Sequence, residues 1–313
     1  MNITVIVPTY NRLDFLKEAL GSILNQELKP AEVIVGDDST NDETESWALS
    51  MVDSYPIDLI YERNRPSLGQ SANVANLINK SSSEYTLLLH DDDIILENAL
   101  LDLKNAIDCM PEIDVVFGKQ HPMSPGGAIL ANESNLFNGG FNRTSLYADR
   151  ALDPIDVTLR QQLPSNSFLV RTELAQAVGY GEEEVAGDAV DFHFSLKLSS
   201  AGAKFRFIDR FVSGYRKSPQ SVSTSRSYDA GYMSFKLVSE MPDTIGGNAK
   251  KEFLTRTSPV AIAQALNTGR FDDAFSIYFS AHHARKIFTL GGARRFMRLS
   301  LSVPSMLFLR YLK

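Results

Sequence analysis

The sequence predicts an α/β fold with a mostly parallel central sheet flanked by helices, followed by a C-terminal helical extension. Over the first 120 residues, short runs of consecutive apolar residues alternate with amphipathic segments. Strands buried on both faces of a parallel sheet are continuously apolar, and the alternation is typical of right-handed βαβ crossovers. From about residue 225 onward the apolar spacing becomes helical.

Five apolar runs in this first part are predicted strands, and the segments between them are predicted helices. The strands are "ITVIV" (3–7), "VIVG" (33–36), "DLIY" (58–61), "YTLLL" (85–89) and "DVVF" (114–117). The helices lie near 12–25, 42–53, 69–80 and 97–108. Each strand is short and each helix longer, as a βαβ series requires.

The second part of the chain is less regular. Residues 118–165 are rich in Gly, Pro, Asn and Ser and have no clear period, so we expect a long irregular connection there. Beyond it we expect strands at 166–171, 204–208 and 211–216, a short helix at 172–179 and a longer one at 187–202. Residues 258–288 read as a helical hairpin broken at Asn267–Gly269.

Composition narrows the class of protein and its compartment. The single cysteine, Cys109, excludes an internal disulfide and fits a reducing compartment. The chain begins with a strand pattern, so no secretory signal is visible, and no apolar run reaches the roughly 20 residues of a membrane-spanning helix. We therefore expect a cytoplasmic protein, with the inner face of the cell membrane as the alternative location.

Charge is divided unevenly along the chain. Residues 1–273 hold 24 Lys/Arg and all 38 Asp/Glu, whereas 274–313 hold seven Lys/Arg and no acid. In residues 285–313 the cations are interleaved with Phe, Leu and Met, which suits peripheral contact with an anionic bilayer. Packing of the same apolar residues on the protein is the other interpretation. An acidic body with a basic apolar tail argues against nucleic-acid binding.

Polar loops follow the predicted strands at the positions where parallel sheets bind ligands. These loops are "PTYNR" (8–12), "DDST" (37–40), residues 64–76 and "HDDD" (90–93). Three adjacent carboxylates repel one another unless a cation lies near, and divalent cations prefer carboxylate oxygens. Neither a dinucleotide-binding glycine motif after the first strand nor a P-loop is present, so a bound phosphate would depend on a metal.

Together, "VIVPTYNRLDFLKEALGSILNQ", "EVIVGDDST", the "G…AN" of "SLGQSANVAN" and "LLLHDDDIILENAL" resemble the family 2 glycosyltransferases, which have a GT-A fold. The match covers roughly residues 2–120 and extends more weakly to about 225. Four motifs in the family's order, each at a strand end, make this resemblance specific.

The resemblance implies a binding site for a nucleotide-sugar donor. In the family, the loop after the first strand lines the base, the second aspartate of "DD" binds a uracil-type ring, and an acid after the fourth strand lies near the ribose. A carboxylate suits an imide N–H, which needs an acceptor. A helix-capping loop is the alternative explanation of Asp37 and Asp38. The implied donor-binding residues are Pro8, Thr9, Tyr10, Asn11, Arg12, Asp38, Gly69, Asn73, Asp91 and Arg216.

The resemblance also implies a metal site after the fourth strand. The family usually has Asp-any-Asp-Asp there, and this chain has His90 at the first position. Asp92 falls on the metal ligand, with Asp93 and His90 as further candidate ligands for Mn²⁺ or Mg²⁺. His90 as a ribose contact or as a packed side chain, and Asp93 as a helix cap, are the alternatives.

A catalytic base is implied at the start of the predicted helix 187–202. In the family an aspartate at such a position deprotonates the acceptor hydroxyl, and Asp188 aligns best, with Asp191 as the second candidate. The two are three residues apart and share a helical face. Near the end of the sheet, Arg216 is implied to face the diphosphate, while Ser218 stands where the family has histidine.

The implied function is an inverting, metal-dependent glycosyltransferase. It would move a sugar from a nucleotide-diphosphate donor, a UDP-sugar, to a hydroxyl of a polysaccharide or a lipid-linked glycan. We expect a GT-A catalytic domain at 1–224, with a nucleotide-binding half at 1–117 and an acceptor half at 118–224, and a helical region at 225–313. The alternatives are a non-catalytic nucleotide-sugar-binding or scaffold protein at the membrane, and a sugar nucleotidyltransferase, which "PTYNR" disfavours because it lacks glycine.

Overall fold

The computed structural model of the protein describes residues 1–218, 225 and 227–302. Its strands are β1 (Ile3–Thr9), β2 (Glu32–Asp37), β3 (Asp58–Arg63), β4 (Tyr85–Leu88), β5 (Ile94–Ile95), β6 (Val115–Met123), β7 (Ala151–Leu152), β8 (Phe168–Arg171) and β9 (Phe205–Arg216). Its α-helices are α1 (Leu13–Leu24), α2 (Glu43–Met51), α3 (Gln70–Lys80), α4 (Ala99–Cys109), α5 (Ala131–Gly140), α6 (Pro154–Leu159), α7 (Thr172–Val178), α8 (Glu183–Ala186), α9 (Val190–Ser200), α10 (Ala230–Glu240), α11 (Gly247–Asn267), α12 (Phe271–Phe279) and α13 (Leu290–Ser302).

The strands among the described residues form one mixed, mostly parallel sheet in the order β3-β2-β1-β4-β8-β6-β9-β5, with β7 paired to β9. β1 pairs in parallel with both β2 and β4, and β2 with β3. β8 lies antiparallel between β4 and β6. The predicted α/β class is confirmed, and so are the five strands of the first part.

The sheet is covered by amphipathic helices, which explains why its strands are continuously apolar. Every residue of β2 and β4 is buried. α1 buries Leu16, Ala19, Leu20 and Ile23, the spacing of a single helical face. These side chains belong to one hydrophobic core with the apolar residues of β1, β2 and β4. The core holds the strand ends, and therefore the loops that follow them, in fixed register.

The prediction of an irregular connection over 118–165 is wrong. β6 continues to Met123, and α5 forms within the same segment. Polar groups of β6 and α5 form hydrogen bonds with each other. Gln120 N donates to Asn138 Oδ1 at 3.1 Å, and Asn138 Nδ2 donates to Gln120 O at 2.8 Å. Because tertiary hydrogen bonds rather than apolar periodicity stabilise these elements, the hydrophobic pattern does not reveal them. The two strands expected at 204–208 and 211–216 are one strand, β9.

The chain divides into two compact units. The first comprises residues 1–182 and 194–218, and the second comprises 183–193 and the described residues after 224. In the second unit α11 ends at Asn267 and α12 begins at Phe271, which confirms the predicted hairpin break. The predicted division at residue 224 stays a prediction. Within the described ranges no helix is both long and apolar enough to cross a membrane.

Candidate active site

The loops after the first four strands meet at one edge of the sheet. β1, β2, β3 and β4 are parallel, so their carboxyl ends lie together. The register pairs Thr9 with Asp37 and Asp37 with Arg63 across neighbouring strands, and Asp38 N donates to Thr9 O at 3.0 Å. Residues far apart in sequence are thus brought together by strand pairing alone.

Side chains from the end of β1 contact the aspartates that follow β4. Thr9 Oγ1 donates to Asp91 Oδ2 at 2.8 Å. The Arg12 guanidinium lies 3.0 Å from Asp92 Oδ2 and 3.4 Å from Asp91 Oδ1. Arg12 therefore supplies the cation that two adjacent carboxylates require.

One guanidinium does not neutralise all three carboxylates of this cluster. Burial, together with the charge of Asp92, raises the pKa of Asp91 to about 6 and that of Asp93 to about 7. Asp93 is only 1% exposed. The group is short of positive charge, and its donors are carboxylate oxygens. A hard divalent cation such as Mn²⁺ or Mg²⁺ fits this donor set.

Asp93 is held from both sides by neighbours that are distant in sequence. Its Oδ1 accepts from Arg216 N at 2.7 Å, and its Oδ2 accepts from Asn166 Nδ2 at 2.7 Å. Each carboxylate oxygen has a second lone pair, so these bonds leave Asp93 able to ligate an ion. They fix its orientation.

Arg216 braces the loop that carries the aspartates. Its Nε donates to Asp92 O at 2.7 Å and its Nη1 to Pro125 O at 3.0 Å. Its Nη2 pairs with Glu18, and the guanidinium lies 4.8 Å from the centre of the Phe15 ring. The side chain is 1% exposed, so in this structure its charge is directed at the protein. A contact of Arg216 with a diphosphate stays a prediction.

His90 lies beside the same carboxylates. One ring nitrogen of His90 and single oxygens of Asp92 and Asp93 lie within 4.8 Å of one another. Nδ1 of His90 is 3.3 Å from Asn166 Nδ2, and the buried Nε2 has no hydrogen-bond partner among the described residues.

The side chain of Asp38 accepts hydrogen bonds from the loop between β3 and α3 and so holds that loop in place. Its Oδ1 accepts from Asn64 Nδ2 at 2.8 Å and from Leu68 N at 3.1 Å, and its Oδ2 accepts from Gly69 N at 2.8 Å. Gly69 has φ +83°, a conformation that favours glycine. Asn73 is buried and donates to Gly36 O at 2.8 Å. Asp38, Gly69 and Asn73 are thus brought together, and the structure gives all three a role in shaping this loop.

The remaining predicted donor-binding residues lie at the end of β1 and in the loop that follows it. Asn11 has φ +53°, and its N donates to Ser39 Oγ at 2.7 Å, which links the loops after β1 and β2. Tyr10 is 51% exposed, whereas Pro8 is partly buried. An exposed aromatic ring at this edge is available to stack on a planar ligand.

The two candidate bases belong to the second unit. Asp188 Oδ2 accepts from Asp229 N at 2.8 Å, and Asp229 Oδ1 accepts from Asp188 N at 3.1 Å. Arg270 Nη2 lies 2.8 Å from Asp229 Oδ2. Asp188 precedes α9, and Asp191 lies in its first turn. The reciprocal bonds fix the orientation of the Asp188 carboxylate.

Asn166 is the main site residue that the sequence did not single out. It is fully buried and contacts both His90 and Asp93. It reaches them because β8 runs antiparallel to β4, with Ser167 N donating to Leu88 O at 2.7 Å. The sequence signal is its position as the first residue of the strand predicted at 166–171, and this does not reveal the strand's neighbour.

Part of the chain is similar in sequence to known proteins. Residues 4–146 match the family model described as "Glycosyl transferase family 2". The chain is 37% identical over 102 residues to the GalNAc(5)-diNAcBac-PP-undecaprenol beta-1,3-glucosyltransferase of Campylobacter jejuni, covering 32% of this chain and 33% of that protein. It is 30% identical over 162 residues to the abequosyltransferase RfbV of Salmonella typhimurium, covering 49% and 48%. The chain thus spans a third to a half of the length of these relatives.

Solved structures are similar over most of the chain. The S. aureus TarS 1–349 structure in complex with UDP aligns with a TM-score of 0.61 at 20% identity, covering 96% of this chain and 88% of that one. A mannosyltransferase from Pyrobaculum calidifontis, in complex with GDP-Man and Mn²⁺, aligns with a TM-score of 0.61 at 15% identity, covering 96% and 86%.

The sheet topology and these structural similarities therefore define a GT-A fold, as predicted. The match of residues 4–146 to the glycosyl transferase family 2 model, together with these relatives, confirms the resemblance that the sequence motifs indicated.

Proposed function

We propose that the protein is an inverting, metal-dependent glycosyltransferase. It moves a sugar from a nucleotide-diphosphate donor, a UDP-sugar, to a hydroxyl of a polysaccharide or a lipid-linked glycan. The observation that carries the proposal is the cluster formed by Thr9, Arg12 and the aspartates after β4, which lies within the family 2 segment. The UDP bound in the TarS structure supports the choice of nucleotide. The name of the Campylobacter relative includes undecaprenol, which supports a lipid-linked acceptor.

In this proposal the loops after β1, β2 and β3 hold the nucleotide. The exposed ring of Tyr10 stacks on the base. The loop that Asp38 orders through its hydrogen bond with Gly69 N faces the edge of the base. Arg12 is already drawn toward Asp91 and Asp92, so its charge lies where a diphosphate would need compensation. Asp91, anchored by Thr9, is the group nearest the ribose.

The carboxylates of Asp92 and Asp93 would hold Mn²⁺ or Mg²⁺. Such an ion, when bound, stabilises the negative charge that develops on the departing diphosphate. The deficit of positive charge around Asp93 and the Mn²⁺ in the Pyrobaculum mannosyltransferase structure support this assignment. His90 is the remaining member of the group that could ligate an ion.

Asp188 would act as the general base. The acceptor oxygen attacks the anomeric carbon while its proton passes to Asp188 Oδ1, and the bond from the anomeric carbon to the diphosphate oxygen breaks. The nucleoside diphosphate leaves with the bonding electron pair. A single displacement inverts the configuration at the anomeric carbon. Asp188 suits this role because Asp229 N occupies Oδ2, whereas Oδ1 accepts no hydrogen bond among the described residues.

A thermal-shift measurement tests donor binding. UDP with Mn²⁺ is expected to raise the melting temperature more than UDP or Mn²⁺ alone, because a ligand that binds only the folded state stabilises it. At a ligand concentration of 100 times Kd the gain is about 2.7 kcal/mol. GDP and dTDP serve as matched comparisons, and a larger shift with either would reassign the nucleotide. The absence of a shift with every nucleoside diphosphate and either metal would contradict the proposal.

The C-terminal helix supports the proposed peripheral membrane contact. α13 packs within the second unit through the buried Leu299. A different face of α13 is exposed. It carries four side chains at spacings of four, three and four residues: Leu290, Arg294, Met297 and Leu301. This face combines exposed apolar side chains with a cation, as an interfacial helix requires. Residues 303–313, the end of the predicted tail, lie outside the described residues.

Introducing negative charge on this exposed face of α13 is expected to release the protein from anionic vesicles. The double variant Met297→Asp/Leu301→Asp should reduce co-sedimentation with phosphatidylglycerol vesicles at least about ten-fold, since it removes two insertable side chains and adds repulsion. Leu49→Asp is the control, because Leu49 is 64% exposed on α2. Equal sedimentation of the double variant and the control, or no sedimentation of the wild type, would contradict membrane contact.

A further inference from the structure

Asp229 is an aspartate at a helix start that does not cap its own helix. It immediately precedes α10, yet its side chain makes no hydrogen bond to the first turn of that helix. Aspartate is favoured at this position because its carboxylate normally accepts from the free backbone N–H groups of the first turn. Here the carboxylate has two other partners. Its Oδ1 accepts from Asp188 N at 3.1 Å, and its Oδ2 lies 2.8 Å from Arg270 Nη2.

The hydrogen bond from Asp188 N is one half of a reciprocal pair. Asp229 N donates to Asp188 Oδ2 at 2.8 Å, so the backbone of each aspartate is bound by the carboxylate of the other. Asp229 is 6% exposed, and hydrogen bonds in such a buried setting are stronger than in water. Two bonds between the same two residues fix the rotation of the Asp188 carboxylate, which a single bond would leave free to turn.

The glycine immediately before Asp188 permits this close approach. Gly187 has φ +50°, a left-handed conformation that favours glycine. A Cβ atom at this position would lie 2.6 Å from Asp229 Oδ1, which is closer than van der Waals contact allows. Both the backbone conformation and the available space therefore require glycine here. The segment that carries Asp188 is shaped to receive the Asp229 carboxylate.

Arg270 binds the other oxygen of Asp229 and is itself held in place. It lies between α11 and α12, and its Nη1 donates to Thr268 Oγ1 at 2.6 Å. Its guanidinium is 4.8 Å from the centre of the Tyr232 ring, and Tyr232 OH donates to Asp273 Oδ2 at 2.6 Å. Arg270 also neutralises the Asp229 carboxylate. This matters because an uncompensated negative charge beside a general base would favour the protonated, inactive form of that base.

We propose that Asp229 and Arg270 are positioning residues for the candidate base Asp188. Asp229 fixes the Asp188 carboxylate so that its Oδ1 keeps one direction, and Arg270 holds Asp229 and compensates its charge. A base that is oriented by a third group loses rate steeply when it is misplaced. The inference rests on the proposed function for the role of Asp188. It gives the second unit, which lies beyond the segment 4–146 matched by the family model, a role in catalysis.

Single-turnover hydrolysis of a UDP-sugar with Mn²⁺ measures the step in which the base acts, with water as the acceptor. UDP-glucose, UDP-galactose and UDP-GlcNAc are the probes, and the one that wild type hydrolyses fastest is used for every variant. Asp229→Ala is expected to lower the rate about ten-fold or more, and Arg270→Met about three- to ten-fold. UDP affinity in the presence of Mn²⁺ should stay within about two-fold of wild type, because in this proposal neither residue contacts the donor.

Two further variants serve as comparisons. Asp229→Asn keeps an oxygen that can accept from Asp188 N but loses the charge that pairs with Arg270, so an intermediate loss of rate is expected. Lys236→Met is the matched control for Arg270→Met, since Lys236 is an exposed cation on α10 of the same unit. The control should hydrolyse the UDP-sugar at the wild-type rate. Circular dichroism checks that each variant is folded, and Arg270→Met carries the test if Asp229→Ala does not fold.

Combination with Asp188→Asn tests whether the two residues act through the base. In the Asp188→Asn background, Asp229→Ala and Arg270→Met are expected to lower the rate by less than about two-fold, because residues that act as a unit are not additive. Losses by the same factor in both backgrounds, or no loss in either single variant, would overturn this inference alone. A wild type that hydrolyses no UDP-sugar, or an Asp188→Asn variant as active as wild type, would overturn the proposed function and this inference with it.

Discussion

Replacing Asp92 with asparagine is expected to abolish metal-dependent sugar transfer, with kcat/KM reduced about 10³-fold or more. Asparagine keeps the shape of the side chain but removes the charge that binds a divalent ion and, through it, stabilises the leaving diphosphate. Arg12 also contacts Asp91, so this arginine keeps a carboxylate partner in the variant and the fold is preserved. Release of UDP from UDP-sugars, followed over a range of Mn²⁺ concentrations, measures the effect.

A matched control distinguishes this loss from a general effect of removing charge. Asp14 belongs to the same unit, and its side chain is 98% exposed. Asp14→Asn should leave turnover and Mn²⁺ dependence unchanged. If Asp92→Asn kept more than a tenth of wild-type activity at the same Mn²⁺ concentration, the metal assignment would be wrong. If wild type released no nucleotide from any donor yet bound UDP, the scaffold alternative would be favoured.

Asp188→Asn is expected to reduce transfer to an acceptor by about 10²- to 10⁴-fold, the usual contribution of a general base. Binding of UDP and Mn²⁺ should be unchanged, because the substitution removes a proton acceptor and not a donor contact. The asparagine oxygen can still accept from Asp229 N, so the local structure is preserved. The measurement is single-turnover transfer beside UDP affinity, which separates the chemical step from binding.

Asp191→Asn provides the comparison within the same segment. Asp191 lies three residues further on, in the first turn of α9, and is the second candidate base. With Asp188 as the base, Asp191→Asn should retain most of the activity. A large loss in Asp191→Asn together with an active Asp188→Asn would move the base to Asp191. Weakened UDP binding in Asp188→Asn would argue that the residue serves the donor instead.

Much of the catalytic region follows from local sequence pattern. Apolar runs determined β1 to β4, and the parallel arrangement placed the loops after them at one edge. Asp91, Asp92 and Asp93 lie there because they belong to the loop that follows β4. The segment 118–165 was not predictable in the same way, since β6 and α5 are joined by polar contacts such as that of Asn138 with Gln120.

The sequence by itself determined the positions of β1 to β4 along the chain, the acidic loop after β4 and the family motifs, because each depends on residues adjacent in the chain. Only the tertiary structure decided how that loop is held. Arg216 reaches Asp93 across 123 residues and Asn166 across 73, and Arg12 approaches Asp92 across 80. Such pairs form through strand pairing and core packing, which bring together side chains whose separation along the chain carries no periodic signal. The orientation of the carboxylates is therefore a property of the folded sheet.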